Sequence, residues 1–186
     1  MENINIDLQG PFNLEMETND SLLNQPSFEK PGIYFWTVKH DGGFYVNYIG
    51  ISSQNMKERF FQHVRLFLVG KYDIYATEDL KKAKINKIYN PTDNFQEFLF
   101  KVEYYIKSAI ANLKVFNYFF ATINMEKDIL ELIESECITS IRGEDRKVKG
   151  FLSNYRLSRL KMRELNINVR INTSSKILGI PNQFNL

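Results

Sequence analysis

The chain has 186 residues, 44% hydrophobic and 25% charged, which fits one globular domain with appendages and excludes wholesale disorder. No run of about 18 uncharged apolar residues is present, the opening residues lack a basic stretch followed by an apolar one, and the single cysteine, Cys137, excludes a disulfide framework and a cysteine-based zinc site. A protein of a reducing cytoplasm, off the membrane, is expected, and the net charge of +2 assigns no partner until its distribution is considered.

Residues 1–30 carry six acids against one base and are rich in asparagine and proline, so they are expected to form an acidic arm. Ile33–Val38 is dense in β-branched and aromatic residues and predicts a strand. Asp41-Gly42-Gly43 is a turn signal and Phe44–Ile49 predicts a second strand, giving a β-hairpin. A helix follows, capped by Ser52 or Ser53 and running to about Gly70, with Met56, Phe60, Val64 and Phe67 at helical spacing. Residues 71–94 are turn-rich and hold the cluster Lys81, Lys82, Lys84 and Lys87. Phe95–Leu113 predicts a second helix, Val115–Ile123 a third strand and Glu126–Ile141 a third helix. From residue 142 to 170 nine bases stand against three acids, and Ser153–Leu165 predicts a last short helix carrying Arg156, Arg159 and Arg163. The expected fold is α+β: a three-stranded antiparallel sheet, the hairpin plus one later strand, covered by about three helices. The expected organisation is an arm (1–30), a central domain (31–156) and a basic tail (157–186).

Three polar residues sit where a plain core helix would not put them. At about 100° per residue, Arg59 and His63 stack four residues apart beside Met56, Leu66 and Phe67, while Glu58, Gln62 and Arg65 face away. In the third helix, Glu134 lies inside the apolar arc of Ile129, Leu130, Ile133, Cys137, Ile138 and Ile141, with Glu131 and Glu136 at its margins. Ionised groups on such arcs are costly unless they are paired or open onto a cleft. Three readings follow: an Arg59–Glu134 ion pair, an arc edge that is wet, or a functional cleft.

The residues also carry a resemblance. The segment PGIYFW contains Gly32-Ile33-Tyr34 and NYIGIS contains Tyr48-Ile49-Gly50, on the two predicted strands of the hairpin. KERFFQHV places Arg59 four residues before His63, ELIESECI carries Glu134, and FLSNY carries Asn154. Over roughly residues 31–155 this set resembles the GIY-YIG nuclease superfamily. The resemblance implies hydrolysis of nucleic-acid phosphodiesters with one divalent cation, Mg²⁺ or Mn²⁺, on Glu134. It implies catalytic roles for Tyr34, Tyr48, Arg59, His63 and Glu134, with Tyr34 favoured as the tyrosine that orients or deprotonates water, and supporting roles for Gly32, Gly50 and Asn154. Arg142, Arg146, Lys147, Lys149, Arg156, Arg159 and Arg163 would then follow the phosphate backbone of DNA, with RNA the other candidate. A restriction-like enzyme of this kind would act as a homodimer. The other readings are a structure-specific or mobile-element nuclease, a nucleic-acid-binding module without catalysis, and a partner-binding protein.

Overall fold

The chain enters the fold as a strand, β1 (Glu2–Phe12). In this computed structural model, which describes residues 2–15, 18–92, 95–153 and 165–186, the buried face of β1 is Ile4, Ile6 and Leu8. Asn3, Asn5 and Asp7 alternate with them and face out, the two-residue period of a half-buried strand. Two 3-10 turns lead to the hairpin, β2 (Gly32–His40) and β3 (Gly43–Ser52), antiparallel, with a register shift between Trp36 and Thr37.

Helix α1 (Met56–Leu68) buries Met56, Phe60, His63 and Phe67. Its cap is Asn55, whose side chain accepts from the Glu58 amide at 3.1 Å, and not Ser52 or Ser53. Ser52 instead shapes the preceding turn, its hydroxyl accepting from the Asn55 amide at 3.0 Å. Residues 71–94 hold short strands β4 (Ile74–Tyr75) and β5 (Lys87–Tyr89) with helix α2 (Thr77–Lys81) between them. The predicted second helix is two: α3 (Phe95–Phe100) and α4 (Val102–Val115), interrupted at Lys101. Across that break Phe98 and Tyr105 stack with ring centroids 5.5 Å apart, a contact that an unbroken helix, turning at 100° per residue, need not make. Then come β6 (Asn117–Thr122), α5 (Lys127–Gly143) and α6 (Arg146–Gly150). The chain ends in β7 (Ile167–Thr173), β8 (Ile177–Leu178) and β9 (Gln183–Asn185).

The expected three-stranded antiparallel sheet is corrected by this topology. The main sheet has seven strands in the order β8-β3-β2-β6-β1-β7-β9, and a second sheet pairs β4 with β5. The main sheet is mixed: β1 runs parallel to β7 and β3 parallel to β8, while the other neighbours are antiparallel. The hairpin and β6 form its middle as expected. Residues 2–12, expected as an arm, and the strands after residue 166, expected as a tail, complete the same sheet. The physical reason is apolar alternation inside polar segments. Ile4 and Ile6 register against Val169 and Ile171, and Ile167, Val169 and Ile171 are all buried. That pairing removes two apolar stripes from water, at about 25 cal/mol per Å². The predicted helix at 153–165 lies largely outside the described residues. Among the described residues, no helix is long and apolar enough to cross a membrane.

Candidate active site

The hairpin register builds the floor of the site. Tyr34 stands opposite Gly50, and Trp36 opposite Tyr48, so Tyr34 and Tyr48 are diagonal neighbours on one face. Their ring centroids are 6.3 Å apart. Gly50 is required by this arrangement, because a Cβ there would overlap Cζ and the hydroxyl of Tyr34. Gly32 answers a different need: a Cβ at that position would run into the Ala121 carbonyl of β6 and the end of Met56. Tyr34 is 1% exposed, its ring edge-on to Phe28 and Phe60. Its hydroxyl has no hydrogen-bond partner among the described residues, a costly state for a buried polar atom.

Helix α1 lays His63 over Tyr48. Tyr48 Oη and His63 Nε2 are 2.9 Å apart, and His63 Nδ1 bonds the hydroxyl of Tyr72. A neutral imidazole has one donor and one acceptor nitrogen, so one hydroxyl donates to it and the other accepts. Burial, reinforced by the Arg59 charge, lowers the His63 pKa to about 4 and keeps the ring neutral at pH 7. Burial raises the pKa of Tyr34, Tyr48 and Tyr72, so all three hydroxyls hold their protons.

Tyr72 reaches His63 because of how α1 ends. Gly70 takes φ +71°, its amide bonds the Phe67 carbonyl at 3.2 Å, and the Lys71 amide bonds the Leu66 carbonyl at 3.0 Å. This is a Schellman closure, and it turns the chain back under the helix. Asn47 secures the far wall. Its side-chain amide donates to Tyr75 Oη (3.0 Å) and to the Phe151 carbonyl (2.8 Å), and its own carbonyl accepts from the Ser153 amide and hydroxyl at 2.7 and 2.8 Å. A cavity of about 10 Å³ between Trp36, Tyr48, His63, Tyr72 and Ser153 has room for about one water molecule.

Arg59 and Glu134 supply the charges. Arg59 is exposed, its Nη1 donating to Gln62 Oε1 at 2.9 Å, so its side chain lies at the rim and not in the core. Its guanidinium nevertheless acts on Tyr34, Tyr48, His63, Tyr72 and Glu134. Glu134 projects from α5, which packs on β2 and β3, and lies one turn from Leu130 and from Ile138. Its carboxyl makes no hydrogen bond or ion pair with any described residue, so the Arg59–Glu134 ion pair considered from the sequence is not formed. Burial and the nearby Glu131 raise its pKa to about 7, against the pull of Arg59. Tyr34, Tyr48, Arg59 and Glu134 thus lie within electrostatic reach of one another, and His63 joins them through its bond to Tyr48.

Among the described residues no three His, Cys, Asp or Glu side chains stand close enough to cage a metal ion. The donor set, one unpartnered carboxylate with a raised pKa, fits a hard cation that keeps most of its ligands as water and substrate oxygens, as Mg²⁺ does. It does not fit zinc, whose structural and catalytic sites take three or four protein ligands.

The predicted basic residues divide. Arg142, Arg146 and Lys149 are exposed at the end of α5 and on α6. Lys147 is engaged: its Nζ is 3.1 Å from His40 Nε2 and 5.6 Å from the centre of the Tyr45 ring. Lys81 pairs with Glu78 and Lys87 with Asp73. Asn154, Arg156, Arg159 and Arg163 lie outside the described residues. Tyr72 and Asn47 were not found from the sequence. Tyr72 follows a helix-ending glycine with no periodicity to mark it, while Asn47, polar between Val46 and Tyr48 in a strand pattern, carried a readable signal. Compared with protein-family models, curated proteins and solved structures, the chain gives no match.

Proposed function

We propose that the chain is a metal-dependent endonuclease that hydrolyses DNA phosphodiester bonds, in the manner of the GIY-YIG nucleases its motifs resemble. The observation that carries the reading is a Glu134 carboxyl without a hydrogen-bond or ion-pair partner among the described residues, within electrostatic reach of both hairpin tyrosines and of Arg59. A partly buried carboxyl with no partner among the described residues is suited to a ligand.

Each residue has a role that follows from its chemistry. Glu134 would hold one Mg²⁺ or Mn²⁺, and the bound cation supplies Lewis-acid stabilisation of charge on the phosphate. Arg59, at the rim, meets non-bridging phosphate oxygens through its rigid fork of donors. By the resemblance Tyr34 would orient the attacking water, which requires substrate binding to open a path to a hydroxyl that is sealed from solvent here. Tyr48 is better placed than Tyr34 to move the proton, since its hydroxyl is already bonded to His63. With His63 carrying its hydrogen on Nδ1, towards Tyr72, the water gives a proton to Tyr48 Oη as Tyr48 gives its own to His63 Nε2. Neither tyrosine then has to exist as a tyrosinate, which burial disfavours. Arrival of the anionic phosphate beside Arg59 raises the proton affinity of the imidazole at the moment it is needed. Arg142, Arg146 and Lys149 would position the duplex without reading its sequence.

The test is nicking of supercoiled plasmid by the purified protein in Mg²⁺ or in EDTA. Cutting in Mg²⁺ and none in EDTA is expected. Arg59→Ala should lower the rate by on the order of 10²–10³, and Glu134→Ala should abolish cutting. Salt-sensitive DNA binding without cutting by the wild type would replace this reading with that of a binding module.

A further inference from the structure

Tyr72 is held more firmly than a loop residue beside a cavity needs to be. Its ring stacks on Phe67, with centroids 6.4 Å apart, and stands edge-on to Tyr48 at 5.9 Å. The chain on either side is tied down. Gly70 closes α1, and a Cβ there would meet the ring of Phe98. Asp73, buried, pairs with Lys87 of β5 at 2.7 Å. The Tyr75 amide donates to Asn112 Oδ1 of α4 at 2.8 Å, and Asn112 Nδ2 donates to the Tyr75 carbonyl at 3.0 Å. A phenylalanine would fill the same space as Tyr72, so packing leaves unexplained the hydroxyl that bonds His63 Nδ1.

Tyr72 also stands between two cavities. It borders the enclosed one of about 10 Å³ and an open one of about 360 Å³ that Lys71, Asn90, Pro91 and Thr92 also line. Of these two, Tyr48 borders only the enclosed one. The neutral imidazole between the two hydroxyls has one hydrogen to place. Tyr72 can turn its own hydrogen toward water in the open cavity and accept the Nδ1 hydrogen on a lone pair. Tyr48 then donates to Nε2. The opposite arrangement would turn the Tyr48 hydrogen toward Tyr72 or toward the one water that the enclosed cavity admits.

We propose that Tyr72 is a positioning residue: it holds His63 in the tautomer with hydrogen on Nδ1, so that Nε2 stays bare to take the proton of Tyr48. It acts through His63, as the third group of a catalytic triad acts through its base. The use of the bare Nε2 in phosphodiester hydrolysis rests on the nuclease reading, whereas the tautomer is a property of the folded chain alone.

Nuclear magnetic resonance correlation of the histidine ring nitrogens with their hydrogens, in the full chain at about pH 7 where the ring is neutral, reads the tautomer directly. The chain has two histidines, and a His40→Gln variant identifies the signals of His63. The wild type should carry its hydrogen on Nδ1. Tyr72→Phe, which keeps the ring packing, should move a large share of it to Nε2, while Tyr48→Phe should leave it on Nδ1. In plasmid nicking, Tyr72→Phe should lower kcat by on the order of 10²-fold with KM unchanged. A wild type with its hydrogen on Nε2, or a Tyr72→Phe variant with the wild-type tautomer, overturns the proposal whatever the protein does to DNA. So does a Tyr72→Phe protein that nicks at the wild-type rate with its tautomer shifted. A wild type that carries the hydrogen on Nδ1, loses it from there in Tyr72→Phe and cuts no DNA overturns the nuclease reading alone and leaves the tautomer assignment standing.

Discussion

The two sides of the seven-stranded sheet bury different things. Around β1 and β7 the buried side chains are aliphatic: Ile4, Ile6, Leu8, Ile167, Val169 and Ile171, each alternating with a residue that is more exposed. Around β2 and β3 the fold buries a tyrosine hydroxyl with no partner among the described residues and a histidine held neutral, and half-buries a carboxyl with a raised pKa. One side gains stability from area alone. The other gives up stability to keep proton donors and acceptors dry. Native folds tolerate such local losses where they serve binding or catalysis, so the contrast marks the hairpin side as the candidate site without reference to any motif. Substitutions on the two sides should therefore separate activity from stability.

The largest effect is expected at Gly50, where both properties meet. Gly50→Ala forces the Tyr34 ring out of a pocket in which it is 1% exposed. Nicking should fall by about 100-fold or more, and the protein should unfold at a lower temperature. Tyr34→Phe separates the two losses, since it keeps the packing and removes an unsatisfied hydroxyl. It should lower the rate while leaving Tm unchanged or raised. A Gly50→Ala protein that nicks as the wild type does would break the assignment of Tyr34 to the site.

On the aliphatic side, Ile6→Ala should cost about 2–5 kcal/mol of stability by urea denaturation. The nicking rate of the folded protein should be unchanged, because β1 lies two strands from β2, the strand that carries Tyr34. A matched loss of activity would mean that the two sides are coupled.

The same contrast explains what the sequence discloses. The hairpin, α1 and α5 are legible because local chemistry decides them: a glycine turn, β-branched strands, and apolar residues at three- and four-residue spacing. Arg59, His63 and Glu134 stand out because they interrupt that spacing. β1 and β7 are not legible as partners. Ile4, Ile6 and Leu8 alternate, but in an acidic, asparagine-rich segment the alternation is easily taken for surface, and their parallel partner lies more than 160 residues away. No periodicity encodes a pairing of that separation. The break at Lys101 likewise lacks a proline or glycine, and the stacking of Phe98 on Tyr105 that accompanies it is a tertiary contact. Tyr72 depends on the closure of α1 at Gly70, which a sequence shows as a stop but not as a direction.

The smallest effect is also the most diagnostic, because its sign depends on pH. Glu134 titrates at about 7 in the folded chain, above the usual carboxylate value of 4.5. Between those values the unfolded chain releases a proton that the folded chain keeps, so stability falls as pH rises from about 4.5 and levels off above 7. Glu134→Gln removes that titration. Its Tm should match the wild type near about pH 5 and exceed it by a few degrees near about pH 8, a modest gain because the carboxyl is only half buried. Millimolar Mg²⁺ should raise the wild-type Tm near about pH 8 and leave the variant unmoved, since a ligand of the folded state stabilises only a protein that binds it. His63 supplies the opposite limb. Its pKa of about 4 lies below the usual 6.5, so stability is lost as pH falls through that interval in both proteins. A Glu134→Gln shift that is equal at both pH values would place the carboxyl in water. Glu134 would then be as unremarkable as the surface acids, and the polar side of the sheet would keep its buried tyrosines with no cation site beside them.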